Sequence, residues 1–197
     1  NEKNIIKIDK DKTACYLKHR VNEYFDYYDR ILFLDSDIWV SKKCPDLFRI
    51  VPFSNLCVYN EMEENREVIM SFSIKLNNYI EMFNKKYNKN IIRKNEDYFN
   101  AGVFMTNKYN NPFSNISEYI EGPTWDQEFF NLKIIENNIP VFYMDRKFNY
   151  ILHKNRFDYY KILYKIPKKT FMLHLAGYSI LEKTKVIDMI KKENLFE

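Results

Sequence analysis

The stretch Arg30-Ile-Leu-Phe-Leu-Asp-Ser-Asp-Ile-Trp-Val40 places the tightest limit on how this chain folds. Four apolar residues, Ile31 to Leu34, run straight into Asp35, and Asp37 follows two positions later. A short continuous apolar run predicts a strand buried on both faces, as in parallel α/β sheets. Carboxylates at the carboxyl end of such a strand lie in the crevice where open α/β sheets bind ligands. Two carboxylates so close repel unless a cation, a shared proton or solvent lies between them. A divalent metal carrying phosphate oxygens meets that demand best, because hard cations take carboxylate oxygens and keep positions open for substrate. The plainer reading is a turn, since Asp and Ser are ordinary turn residues and Asp-x-Asp arises often by chance. Taken alone, the stretch leaves the two readings level.

At 197 residues the chain reads as a single α/β domain spanning 1–197, long enough for a sizeable core. Its 46% hydrophobic and 29% charged content describes a globular protein rather than a disordered one. The net charge of +4 is mild, and the lysines fall in short runs that read as solvated faces. This balance suits an anionic small molecule and gives little support to a nucleic-acid partner. Asn, Lys, Ile, Tyr and Phe are abundant while Gly and Ala are scarce, the mark of an AT-rich coding bias. The 16 Tyr and 16 Phe therefore carry no functional weight. Cys15, Cys44 and Cys57 are odd in number and lack metal-finger spacing, which predicts buried thiols in a reducing, cytoplasmic setting. No apolar run reaches membrane-span length and no signal peptide is visible. The chain begins at Asn1 rather than Met, so an upstream segment is expected.

Along the chain, Ile5, Ile6 and Ile8 mark a first strand with a loop. Leu17, Val21, Tyr24, Phe25 and Tyr28 share one helical face behind Thr13, a residue able to cap it. Leu56 to Tyr59 reads as a short strand, Glu61 to Glu67 as a charged, exposed connection, and Leu76, Ile80, Phe83 and Tyr87 as a helix face. Val103 to Met105 predicts a second buried strand. Asn100-Ala101-Gly102 at its start places one of only three glycines where a ligand or backbone comes close, or where an unusual backbone angle is needed. Thr124 to Gln127 matches a capping box, so a helix is expected from there to about Asn137. In that local pattern Gln127 closes the cap and Asp126 complements the positive helix end, a structural reading that outweighs a catalytic one. Val141 to Met144 reads as a strand and Glu182 to Lys192 as the last helix. His174 ends an apolar run before Leu-Ala-Gly177, either as a core residue or as a third ligand facing the crevice.

Four of these blocks together resemble glycosyltransferase family 8, the group that contains glycogenin and bacterial lipopolysaccharide galactosyltransferases. Thr13 to Val40 is similar to its helix and Leu-Asp-x-Asp strand, and Phe99-Asn-Ala-Gly-Val to its Phe-Asn-x-Gly block. Asp126-Gln-x-x-x-Asn131 resembles its Asp-Gln block, and His174-Leu-Ala-Gly177 its His-x-x-Gly block. The four keep the family's order over nearly the whole chain. The resemblance implies a GT-A fold, Rossmann-like with helices on both sheet faces. It also implies transfer of a hexose, with retention of configuration, from a nucleotide-sugar (commonly UDP-linked) to a glycan or lipid-linked saccharide. Carried over, Asp35, Asp37 and His174 hold Mn²⁺ (or Mg²⁺). Lys18, Asn100, Ala101, Gly102 and Gly177 bind the donor, and Asp126 and Gln127 lie beside the anomeric carbon.

Two departures stand out. Tyr178-Ser-Ile-Leu replaces the Lys-Pro-Trp that grips phosphates in the family, and Lys183 or Lys185 can substitute only with a different loop. The family's opening strand and helix, which hold the uracil and ribose, do not precede Asn1, so the expected domain is N-terminally truncated and membrane association falls to segments outside it. Two other classes stay open. One is a catalytically inactive relative that binds a sugar or a protein. The other is a haloacid-dehalogenase-type phosphatase, which wants Thr or Val where this chain has Trp39 and leaves the Asn-Ala-Gly and Asp-Gln blocks unexplained.

Overall fold

The computed structural model describes residues 18–63, 66–115, 117–118, 120, 125–152 and 166–192. The expected first strand at Ile5 to Ile8, the capping positions Thr13 and Thr124, Leu17 and Cys15 lie outside them. The elements in order are β1 (Arg30–Leu34), β2 (Ile38–Val40), the one-turn helix α1 (Leu47–Ile50), β3 (Leu56–Asn60), α2 (Arg66–Tyr87), β4 (Phe99–Asn107), α3 (Trp125–Glu136), β5 (Val141–Tyr143), β6 (Tyr150–Ile151), β7 (Met172–His174) and α4 (Ile180–Lys192). Short 3₁₀ segments cover Lys18–Tyr24, Glu61–Glu63 and Arg146–Phe148. Among the described residues, no helix is long and apolar enough to cross a membrane.

The architecture is mixed α/β. A four-stranded sheet runs β1-β4-β3-β5 and a three-stranded sheet runs β2-β7-β6. In the larger sheet β4 is antiparallel to both neighbours, while β3 and β5 are parallel. Strands β1, β3 and β5 therefore point the same way, and their carboxyl ends share one edge of the molecule with the amino end of β4. In the smaller sheet β2 is antiparallel to β7, setting Ile38 opposite His174.

The expectation that Ile31 to Leu34 is buried on both faces is corrected. β1 is an edge strand among the described residues, and all five of its residues are half-buried. A strand paired on one side only leaves its outer flank open to water. β3 and β4 are instead buried throughout, with five and nine buried residues in succession.

Side chains alternate across the larger sheet as the strand period of two requires. Ile31, Phe33, Leu56, Val58 and Phe104 join the core under α2 and α3. Leu32, Leu34, Cys57, Tyr59, Val103 and Met105 join a second core under α1, Phe148 and the smaller sheet. The expected pair of helical layers is thus half replaced by a small sheet. A third cluster, with Leu173, Leu175, Tyr178, Val186 and Ile190, docks α4. Phe83, Phe104, Phe113, Phe129 and Phe130 are fully buried, each contributing about 1.5–3 kcal/mol of transfer free energy. Truncating Phe104 to Ala would cost about 3–5 kcal/mol.

The helix expected to begin at Thr13 is 3₁₀ over its described part and closes in a turn at Tyr24 to Tyr28. With about three residues per turn, an i, i+4 face drifts around the axis. Val21 accordingly stays buried while Tyr28 is 41% exposed. Glu61, expected in an exposed connection, is buried.

One irregularity bears on function. β3 and β4 pair Val58 with Phe104 and Asn60 with Phe99, so β4 spends five residues where β3 spends two. The extra chain is Asn100-Ala101-Gly102 and its flanks, and bulges of this kind re-aim side chains beside functional sites.

Candidate active site

Asp35 leaves the end of β1, Glu61 leaves the end of β3, and Asn100 to Gly102 open β4, all on the same sheet edge. The backbone N–H of Asp35 donates to Gly102 O at 2.8 Å, tying the Asp-x-Asp turn to the irregular start of β4. Asp37 O accepts from Leu175 N–H at 3.0 Å, which holds the second carboxylate beside the end of β7. Ligand atoms of Asp35, Asp37 and His174 all lie within 4.8 Å of one another, a group able to hold a metal ion.

Two lysines face these acids. Lys18 Nζ lies 3.3 Å from Asp35 Oδ2 and 2.8 Å from Asp126 Oδ2. Burial pushes the Lys18 pKa down, but the charges of Asp35 and Asp126 outweigh it and hold it above the ordinary value. Lys183 Nζ lies 2.9 Å from Asp37 Oδ2, and His174 Nε2 lies 3.4 Å from Asp37 Oδ1. Burial raises the Asp37 pKa, yet neighbouring His174 and Lys183, through hydrogen bonds and electrostatics, prevail and hold it at about 2. Asp37 is therefore a carboxylate at neutral pH, the form a metal needs.

Beside this lies an amide–carboxylate network. Asn100 Nδ2 donates to Glu61 Oε1, and Gln127 Nε2 donates to Glu61 Oε2 at 3.4 Å. Gln127 Oε1 accepts from Ala101 N–H at 3.3 Å and from Asn100 Nδ2 at 3.4 Å. Thr124, the expected cap partner of Gln127, lies outside the described residues, and the bonds described carry the Gln127 side chain to the start of β4 and to Glu61. Asp126 is paired with Lys18 across the site rather than left as a solvated helix-end charge. Asn131, one turn further along α3, accepts from Phe99 N–H at 2.7 Å and donates to Phe99 O at 2.8 Å, clamping helix to strand.

Gly102 owes its identity to space. A Cβ there would lie 2.5 Å from His174 Cε1 and 2.9 Å from both Asn100 Oδ1 and Asp35 Oδ2. Its φ is not positive, so the alternative of an unusual backbone angle applies instead to Gly177, with φ of +77° and open space beside it.

Two participants escaped sequence reasoning. Glu61 follows a strand as Asp35 does, and that parallel was the available signal, hidden by a run of exposed-looking acids. Asn149, fully buried, turns Oδ1 to His174 Nδ1 at 3.2 Å and donates from Nδ2 to Asn100 Oδ1 at 2.9 Å. It sits in an unremarkable Asn-Tyr pair, and nothing local marks it.

The donor set suits a hard or borderline divalent cation: two carboxylates and one imidazole, with Gly102 leaving room that any side chain would fill. A comparison with curated proteins returns no match. Among solved structures the chain is similar to the apo form of mouse xyloside xylosyltransferase 1, at 18% identity and a TM-score of 0.47. That alignment covers 83% of this chain and 63% of the mouse chain, so this chain spans less than two thirds of that protein. The family model for glycosyl transferase family 8 matches residues 7–179, which takes in every residue of the site except Lys183. By that match over most of its length, the chain belongs to glycosyl transferase family 8.

Proposed function

We propose that this chain transfers a hexose from a nucleotide-sugar, UDP-linked, to a glycan or lipid-linked saccharide of lipopolysaccharide type, with retention of configuration, on a GT-A scaffold. The observation that carries this reading is the meeting of four sequence-distant blocks, around Asp35, Asn100, Asp126 and His174, at one place in the fold. Asp35, Asp37 and His174 would hold Mn²⁺ (or Mg²⁺), which when bound offsets charge on a departing diphosphate. Lys183, paired with Asp37, would be released to meet a phosphate oxygen if a cation took its place there. Asn100, the backbone at Ala101 and Gly102, and Lys18 orient the donor sugar. Gly177 shapes the turn that leads β7 into α4.

Asp126 and Gln127 face the anomeric carbon. As the bond from that carbon to the diphosphate breaks, positive charge builds at the ring, and a carboxylate and an amide oxygen stabilise it. The electron pair of that bond leaves with the diphosphate, and the acceptor hydroxyl oxygen forms the new bond as its proton passes to the departing diphosphate oxygen. Retention follows either from two displacements through one of these side chains or from acceptor entry on the leaving-group face.

The test is metal-dependent release of UDP from a panel of UDP-hexoses. Such release supports the transferase. Turnover of p-nitrophenyl phosphate instead would point to phosphatase chemistry, and neither activity to a sugar- or protein-binding relative.

A further inference from the structure

The amide groups around His174 can be oriented in only one way. Asn100 meets the backbone N–H of Gly102 at 2.8 Å with one amide atom and the carboxylate of Glu61 with the other. A backbone N–H only donates and a carboxylate only accepts, so Asn100 turns Oδ1 to Gly102 and Nδ2 to Glu61. Asn100 Oδ1 also lies 2.9 Å from Asn149, which must present its own Nδ2 there. That turns Asn149 Oδ1 toward His174 Nδ1, 3.2 Å away. An amide oxygen only accepts, so Nδ1 carries the proton and Nε2 keeps its lone pair. Asn100, Asn149 and His174 are all at least 95% buried, which keeps bulk water out of the chain of bonds.

A competing arrangement exists within reach. Nε2 lies 3.4 Å from Asp37 Oδ1, and a neutral imidazole beside a carboxylate gains by donating to it. That tautomer would put a proton where a cation must sit. We infer that Asn149 is a positioning residue that holds neutral His174 as the Nδ1–H tautomer, with its own orientation relayed through Asn100 from Glu61. Outer groups that orient a ligating imidazole are a general requirement of metal sites. The use of the bare Nε2 rests on the reading of Asp35, Asp37 and His174 as metal ligands, whereas the tautomer does not.

The experiment is long-range ¹⁵N–¹H correlation of the imidazoles in the full chain without metal, at a pH well above the ordinary histidine pKa of about 6.5. The chain has three histidines, and His174→Gln identifies the relevant signal by its loss. The expected pattern is Nδ1–H in the wild type. In Asn149→Leu it shifts to Nε2–H, and Mn²⁺ affinity by calorimetry falls about 10–100-fold. An Nε2–H wild type overturns the inference, as does an unchanged tautomer in Asn149→Leu. If that variant does not fold, the wild-type spectrum still decides. An Nδ1–H wild type that takes up no Mn²⁺ overturns the metal reading of the three ligands and leaves the tautomer lock standing.

Discussion

Two lysine–carboxylate clusters in this molecule look alike in composition and differ in balance. Away from the site, Lys133 Nζ lies 2.5 Å from Glu118 and 2.6 Å from Glu136, and Lys89 Nζ lies 2.6 Å and 2.5 Å from the same two acids. Two cations meet two anions, and the cluster is closed. At the site, among the described residues, Asp35 and Asp126 share Lys18, and Asp37 meets Lys183, so three carboxylates face two lysines. Like charges about 4 Å apart repel by roughly 4 kcal/mol at an effective dielectric constant near 20. A cluster selected for stability alone would be closed, as the first is. The open one fits a divalent cation, which the grouped ligand atoms of Asp35, Asp37 and His174 could hold.

The comparison breaks most sharply at Asp37. Asp37→Asn should lower turnover about a thousandfold, because the metal's charge stabilisation amounts to several kcal/mol. Near-normal turnover in a steady-state assay would remove Asp37 from the metal group. Asp126→Asn should likewise cut turnover by orders of magnitude with little change in melting temperature. A helix-end charge alone contributes about 0.3–1 kcal/mol, so a small stability loss with normal activity would return Asp126 to that role.

Acid should unfold the protein through a group beside the site. His19 is buried against Phe113 and Phe129, and burial lowers its pKa to about 4, with Asp126 opposing and Lys18 assisting. The folded state thus refuses a proton that the unfolded chain accepts below about 6.5. The associated stability is fully present above that value and is lost as pH falls from 6.5 toward 4, by up to about 3 kcal/mol. Urea titrations across this window should show the loss, and His19→Gln should flatten it.

Cation binding separates the clusters directly. At about 100 times its Kd, Mn²⁺ should stabilise the wild type by about 2.7 kcal/mol in a thermal melt, and Asp37→Asn should abolish the response. Lys133→Met opens the closed cluster. It should cost about 1–2 kcal/mol, less than the about 3–5 kcal/mol of a fully buried pair because Glu118 and Glu136 keep some contact with water. Activity and Mn²⁺ response should be unchanged. A fall in turnover beyond the stability loss would show that the two clusters communicate.

Much of this was legible in the chain because it depends on neighbours in sequence. Leu76, Ile80 and Phe83 repeat with the helical period and are buried, and Leu56 to Tyr59 and Val103 to Met105 are apolar runs that became strands. Asp35 and His174 could be singled out because each stands at the end of an apolar run, and Asp37 because it follows Asp35 by two positions. Tertiary structure decided what local pattern cannot encode. Hydrogen bonds between strands distant in sequence put β1 at the edge of the described sheet and β4 inside it, and they left three extra residues at Asn100 to Gly102. Partners more than twenty residues away drew Gln127, Glu61 and Asn149 into the site. A carboxylate or amide shows its chemistry in the sequence, but which donor or acceptor it meets depends on chain closure, and only the folded chain brings that partner near.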